Sequence, residues 1–196
     1  MQFFDIEQNT DTWKALRLGH FTASAFGDLF MAKSTIGYKK AVYRVAFEKV
    51  TRESPESFTN EYMTRGHELE AEARASYEKI TGNEVTNGGF FETDLWIGCS
   101  PDGLISDDGI VEIKCPAYST IIDYIKYREL PGIYKWQVHG QMYVTNRKFV
   151  DFFAYHPLLK PIIVRVQRDD TLIKELEDKL KEAIQECEKI IEIISI

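Results

Sequence analysis

The chain of 196 residues is 44% hydrophobic and 28% charged, the balance of an ordinary globular protein, which excludes disordered, collagen-like and membrane-spanning classes. A core of this size forms without disulfide or metal staples, so a single domain over residues 1–196 is expected. The net charge of −7 weighs against a polyanionic partner, yet residues 170–196 hold eight acidic and four basic side chains, so more than half of the excess sits in one terminal segment.

The opening MQFFDIEQNT has no basic stretch leading into an apolar one, and nowhere do about eighteen apolar residues run together, so neither export nor membrane insertion is expected. Cys99, Cys115 and Cys187 follow no zinc spacing, and their odd number argues against a disulfide framework, as in a reducing cytoplasm. They also fall short of the four thiolates of an iron–sulfur cluster, and no such cluster is expected.

In chain order, periodicity predicts helices over 10–18, 22–31 and 38–51, then a longer one over 60–81 that starts after the capping candidate Thr59 and stops at Gly82. The period then changes. Residues 84–115 are rich in aromatic and β-branched side chains and broken by Gly-Gly, Pro-Asp-Gly and Asp-Asp-Gly, which predicts a meander of three strands turning near 87–89, 101–103 and 107–109. Helices resume over 119–129 and 132–145, strands follow at 149–156 and 162–167, and a charged amphipathic helix runs from Asp170 to the end. The order predicts an α/β fold, a central mixed sheet flanked by helices. The final IIEIISI is expected to dock on the chain's own core, with sealing of a partner subunit as the alternative.

Side chains alternate along a strand, so in Val111-Glu112-Ile113-Lys114 the carboxylate and the ammonium share one face. Asp102 precedes them at a turn, and the short SDDG connection folds the two segments into a hairpin that brings Asp102 within reach of that face. Hydrolysis of a phosphodiester calls for a hard cation to polarise the phosphoryl oxygen. Asp102, Glu112 and the carbonyl of Ile113 suit magnesium, which takes oxygen ligands and keeps several waters, and Lys114 suits a role in orienting or deprotonating the attacking water. Alone, each fragment reads equally as a plain turn or a solvated strand face. Together they have the order and spacing of the PD…(D/E)xK nuclease motif.

Glu70 shares a helical stripe with Gly66, Ala73 and Tyr77, which points it inward, opposite Glu68 and Glu72. There it holds a water of the metal's shell or pairs with a nearby Arg or Lys. Gln137 lies on a stripe of mixed polarity with Tyr134, Gln141 and Val144, as an ordinary half-exposed helix residue does.

The segments LRLGHFTAS at 16–24, RGHELEAEA at 65–73, CSPDGLIS at 99–106, VEIKCP at 111–116 and YKWQVHGQMYVT at 134–145 together resemble the phage lambda exonuclease family, the YqaJ-type recombinases, over nearly the whole chain. The resemblance implies a restriction-endonuclease-like core and a magnesium-dependent 5′-to-3′ exonuclease that digests one strand of duplex DNA. It also implies 3′ overhangs for a single-strand-annealing partner in phage recombination, a ring-shaped homotrimer, and a place in the cytoplasm of a bacterial host. Residue by residue it makes Asp102 and Glu112 metal ligands, Lys114 the catalytic lysine, Glu70 the holder of a metal-linked water and Gln137 the completing side chain. His67 is read as structural or solvent-facing, because magnesium disfavours imidazole.

Thr22 is an N-cap candidate whose helix would aim free N–H groups at an anion near Ser24, and Arg17 would add a bidentate fork. The bland alternative is a surface ion pair for Arg17 and a first-turn position for Ser24. The resemblance assigns both to the terminal 5′-phosphate. Two further functions remain compatible with these motifs: an endonuclease on the same scaffold, and a non-catalytic DNA-binding assembly protein that keeps the fold.

Overall fold

The computed structural model describes residues 1–55, 61–93 and 96–195, and the side chains of all of these except 61–67. Its larger sheet has five strands, β3 (Val85–Thr86), β6 (Gly103–Ile105), β7 (Gly109–Lys114), β8 (Phe149–His156) and β9 (Leu159–Gln167), side by side in that order. β7 and β8 run parallel and the other neighbours antiparallel. A smaller sheet is ordered β1 (Gln2–Phe4), β4 (Phe90–Glu92), β5 (Ile97–Cys99), β2 (Phe21–Thr22), with β2 and β5 parallel. The fold is therefore mixed α/β, but residues 84–115 form five short strands dealt to two sheets rather than one three-stranded meander. Two of them, β5 and β6, are buried on both faces, so the alternation that marks a half-exposed strand is missing from their sequence.

Helices flank the two sheets: α1 (Asp11–Arg17), α2 (Ile36–Thr51), α3 (Glu61–Thr81), α4 (Tyr118–Tyr127), α5 (Lys135–Thr145) and α6 (Asp170–Ile194) follow the expected spans closely. Their starts are chemically marked. Thr10, Thr35 and Asp169 accept from the N–H groups of Trp13, Tyr38, and Thr171 with Leu172, each satisfying donors that a helix leaves orphaned. α3 ends where Gly82 takes a φ of 72° that side chains resist. The cap expected at Thr59 lies outside the described residues.

Two expected helices begin differently. Residues Ala23–Phe30 form a 3-10 helix, and Thr22 occupies its N-cap position without a capping bond from its side chain. Its hydroxyl lies 3.4 Å from that of Ser24 instead. The span 132–145 likewise opens with a 3-10 turn, Gly132–Tyr134, before α5. Periodicity alone does not separate the tighter winding from an α-helix over so few residues.

On one face of the large sheet, Ile110 and Val150 pack under α5 and α6, while Phe152 and Ala154 pack under α4. On the other face Val111, Ile113, Phe153 and Tyr155 meet Ala73 and Tyr77 of α3. Ile173, Leu176, Leu180, Ala183 and Cys187 of α6 are fully or nearly fully buried, each large aliphatic contributing about 1.5–3 kcal/mol. The apolar end of α6 divides. Ile190 and Ile191 lean on the core, whereas Ile193 is 80% exposed. Among the described residues no helix is long and apolar enough to cross a membrane.

Candidate active site

The β6–β7 hairpin places the motif residues as their alternation requires. Glu112 and Lys114 face α5, and Val111 and Ile113 face α3. Glu112 is only 1% exposed, and a carboxylate so deep needs full compensation. Its Oε1 accepts from the Lys114 ammonium and from Gln137 Nε2 at 2.5 Å, and its Oε2 accepts from Gln141 Nε2 at 2.5 Å. Lys114 also lies over the Tyr134 ring, 5.4 Å from its centroid. Burial alone would lower the lysine's pKa, but the charges of Glu112 and Asp102 outweigh it and hold the ammonium above its ordinary value.

Asp102 sits just before β6, its Oδ2 accepting the backbone N–H of Ile113 at 2.6 Å. That bond ties the turn to the strand carrying Glu112. Burial and the neighbouring charge of Glu112 push the Asp102 carboxyl well above the usual carboxylate range, with Glu70 adding to the repulsion and Lys114 opposing it. Two carboxylates that repel one another across a short hairpin are the donor set a hard divalent cation fits, since the cation would reverse that repulsion. Among the described residues no three His, Cys, Asp or Glu side chains converge to encage a metal. An ion here would keep several positions for water or phosphate oxygens, as magnesium does.

Glu70 reaches the site from the other side of the sheet. It is half-buried on α3, on the stripe of Ala73 and Tyr77 as expected, and it shares with Asp102 the wall of a cleft of about 580 Å³. The side chain of His67 is not among those described.

Arg17 is drawn to the same hairpin. Its Nη1 donates to Ser100 Oγ at 3.0 Å, Trp13 Nε1 donates to that oxygen at 2.9 Å, and the guanidinium lies 4.2 Å from the Trp13 ring centroid. Burial and the nearby Arg44 push its pKa down to about 10. Ser24 is exposed. Because β2 and β5 run parallel, with Thr22 beside Gly98, Ser24 and Ser100 lie beyond the same ends of their strands. The 3-10 winding offers a weaker array of N–H groups than the α-helix expected there.

The structure thus brings Asp102, Glu112, Ile113, Lys114 and Gln137 together, sets Glu70 across a cleft from Asp102, and joins Arg17 through Ser100. Gln141 and Ser100 were not singled out from sequence. Gln141 stands one turn after Gln137, a spacing that repeats the same face. Ser100 carries no such signal, since its partner is 83 positions away.

Similarity to known proteins agrees with this geometry. Residues 12–148 match the YqaJ-like viral recombinase domain. The alkaline exonuclease LHK-Exo of Laribacter hongkongensis superposes with a TM-score of 0.87 at 36% identity, over 94% of this chain and 96% of that one. The same enzyme in complex with dAMP superposes with a TM-score of 0.87 at 35% identity, over the same 94% and 96%. A phage-related exonuclease from Haemophilus somnus shares the fold at a TM-score of 0.66 and 17% identity, over 90% of this chain and 96% of that one. No curated protein matches the sequence. With a family match over most of its length and a relative of this identity, the chain belongs to the YqaJ-like viral recombinase family.

Proposed function

We propose that the chain is a magnesium-dependent exonuclease that digests one strand of linear duplex DNA from its 5′ end and leaves 3′ overhangs for single-strand-annealing recombination. One observation carries this: a buried carboxylate, Glu112, bonded by Lys114, Gln137 and Gln141 and set beside the turn of Asp102. The exonuclease named in the LHK-Exo structures, one of them with a deoxynucleotide bound, supports the substrate class.

Asp102 and Glu112, with the carbonyl of Ile113, would hold a magnesium or manganese ion, whose chemistry there is to polarise the scissile phosphate and relieve charge on the leaving oxygen. Gln137 and Gln141 keep Glu112 in one orientation, so no reorganisation is needed during the reaction. Lys114 donates to the attacking water and offsets charge on the phosphoryl group, while Glu70 accepts a hydrogen bond from water on the cleft side. Arg17 and Ser24, with Ser100 fixing the arginine, hold the terminal 5′-phosphate one nucleotide away.

Each subunit forms a single nuclease domain, and three assemble as a ring around the duplex. An annealing protein takes up the exposed strand in the bacterial cytoplasm. Incubating linear duplex and a closed, nick-free plasmid with magnesium tests the activity. Mononucleotide release from the linear form only is expected, whereas cutting of the plasmid would point to an endonuclease, and no cleavage of either to a non-catalytic protein.

A further inference from the structure

Arg17 is the last residue of α1, and the three residues that separate it from β2 decide where its guanidinium stands. We infer that Glu48 and Arg44, a buried ion pair on α2, are positioning residues for this arginine, gripping the Gly19–His20 unit of the turn and so setting how strongly a 5′-phosphorylated end is preferred. The inference rests on the 5′-phosphate role proposed above for Arg17 and adds to it a pair that acts through the backbone.

The grip is two-pronged. Glu48 Oε2 accepts the backbone N–H of Gly19 at 2.8 Å, and Arg44, which donates Nη1 to the same oxygen at 2.7 Å, donates Nη2 to the His20 carbonyl at 2.9 Å. One side chain thus holds the donor at the start of this unit and the other the acceptor at its end. The hold passes to Arg17, because the N–H of His20 donates to the Arg17 carbonyl at 3.2 Å. Beyond the turn, the N–H of Phe21 donates to the Trp96 carbonyl at 2.7 Å and fastens the chain to the smaller sheet. Gly19 takes a φ of 75°, and a Cβ there would fall 2.8 Å from Lys49 Cγ, so a side chain at this position would be both strained and crowded.

Stability alone is a poor account of the pair. Glu48 is 3% exposed and lies among the buried Tyr38, Ala41, Val42 and Val45 of its own helix. Apolar side chains of similar volume often serve a core as well or better, since burying two charges costs solvation. They cannot bond a backbone N–H and a carbonyl at once. The pairing also suits a phosphate pocket, because Arg44 neutralises a carboxylate that would otherwise repel the ligand of Arg17. Burial does most to lower the Arg17 pKa, Arg44 adds to that, and Cys99 and Glu48 oppose it, so both charges of the pair are felt at the guanidinium.

The test reads the ratio of initial rates on 5′-phosphorylated and 5′-hydroxyl ends of linear duplex, in which any general loss of activity cancels. Arg44→Met combined with Glu48→Leu replaces the pair by apolar side chains, and its urea midpoint is measured first. A midpoint close to the wild-type value with the ratio reduced about tenfold is expected, the scale of one hydrogen bond to a charged group. Arg44→Lys keeps the charge but has no planar fork to span Glu48 and the His20 carbonyl, so it should lose much of the ratio too. Glu48→Gln retains an acceptor for Gly19 and should keep more of it than Glu48→Leu. A stable double variant with the wild-type ratio would overturn the positioning role, and so, if the double variant does not fold, would the wild-type ratio in Arg44→Lys. Wild type and Arg17→Ala, run alongside, read the phosphate role separately. No preference in the wild type sinks that role and the inference with it, whereas a preference that Arg17→Ala abolishes and the pair variants keep sinks the inference alone.

Discussion

Gln141 donates its amide hydrogen to Glu112 Oε2 at 2.5 Å, and both side chains are 1% exposed. With Gln137 on the other oxygen, two amides one helical turn apart hold the carboxylate from both sides. Gln141→Leu should therefore cost about 1–3 kcal/mol by leaving a charged oxygen unsatisfied, and it should lower Tm by about 2–4 °C per kcal/mol. Calorimetric magnesium titration should show weaker binding as well. A variant as stable as the wild type, with equal metal affinity, would show that the second amide does not hold Glu112.

Asp102→Ala, Glu112→Ala and Lys114→Ala should each reduce cleavage at least about a hundredfold, the scale on which a preorganised charge acts in a transition state. DNA binding should persist, because contacts to the duplex extend beyond the reacting phosphate. Rates measured on folded protein, checked by circular dichroism, decide the point. A folded Lys114→Ala with near wild-type turnover contradicts its role.

The motif was open to inspection in the sequence because strand alternation is local: Val111 to Lys114 face as the period demands, and Gln137 lies on a four-residue helical spacing from Gln141. Helix ends were also legible, since Thr10, Thr35 and Asp169 are capping side chains that act within three residues. What stayed hidden depends on distant partners. β1 and β2 are three and two residues long, too short for any period, and they exist because β4 and β5 offer them edges. The Arg17–Ser100 bond joins positions 83 apart in the chain, near one another through the pairing of β2 with β5. The inward Glu70 was legible as a stripe, whereas its approach from the α3 face depends on how that helix crosses the sheet.

Calcium should support binding of duplex ends but little cleavage, and manganese should replace magnesium. Calcium is larger and looser in its geometry, while manganese shares the octahedral oxygen preference. Initial rates in the three metals, alongside a chelator control, check this. Fast turnover in calcium, or full activity in excess chelator, contradicts an oxygen-ligated magnesium site.

Arg17→Ala should remove most of the preference for 5′-phosphorylated over 5′-hydroxyl ends. Arg17→Lys should restore little of it, since an ammonium cannot reproduce a planar fork that also reaches Ser100. Competition between the two kinds of end in one reaction gives the ratio directly. Equal rates on both ends in the wild type would remove the phosphate role of Arg17 and Ser24.

Behind the site, Asp151 is 1% exposed and held by Arg165 at 2.7 and 2.8 Å and by the Tyr77 hydroxyl at 2.6 Å. Tyr77→Phe should destabilise the fold by about 1.5–3 kcal/mol, the worth of a hydrogen bond to a buried charge. A lower urea midpoint with unchanged magnesium affinity is the expected pattern. Loss of metal affinity without loss of stability would place Tyr77 in the site instead.

The most direct test of the central claim uses linear duplex labelled separately at its 5′ and 3′ ends, with and without magnesium. Rapid release of the 5′ label as mononucleotide and retention of the 3′ label on a shortening strand are expected with magnesium, and no release of either label without it. Release of the 3′ label first, or digestion that proceeds equally in chelator, would contradict that claim.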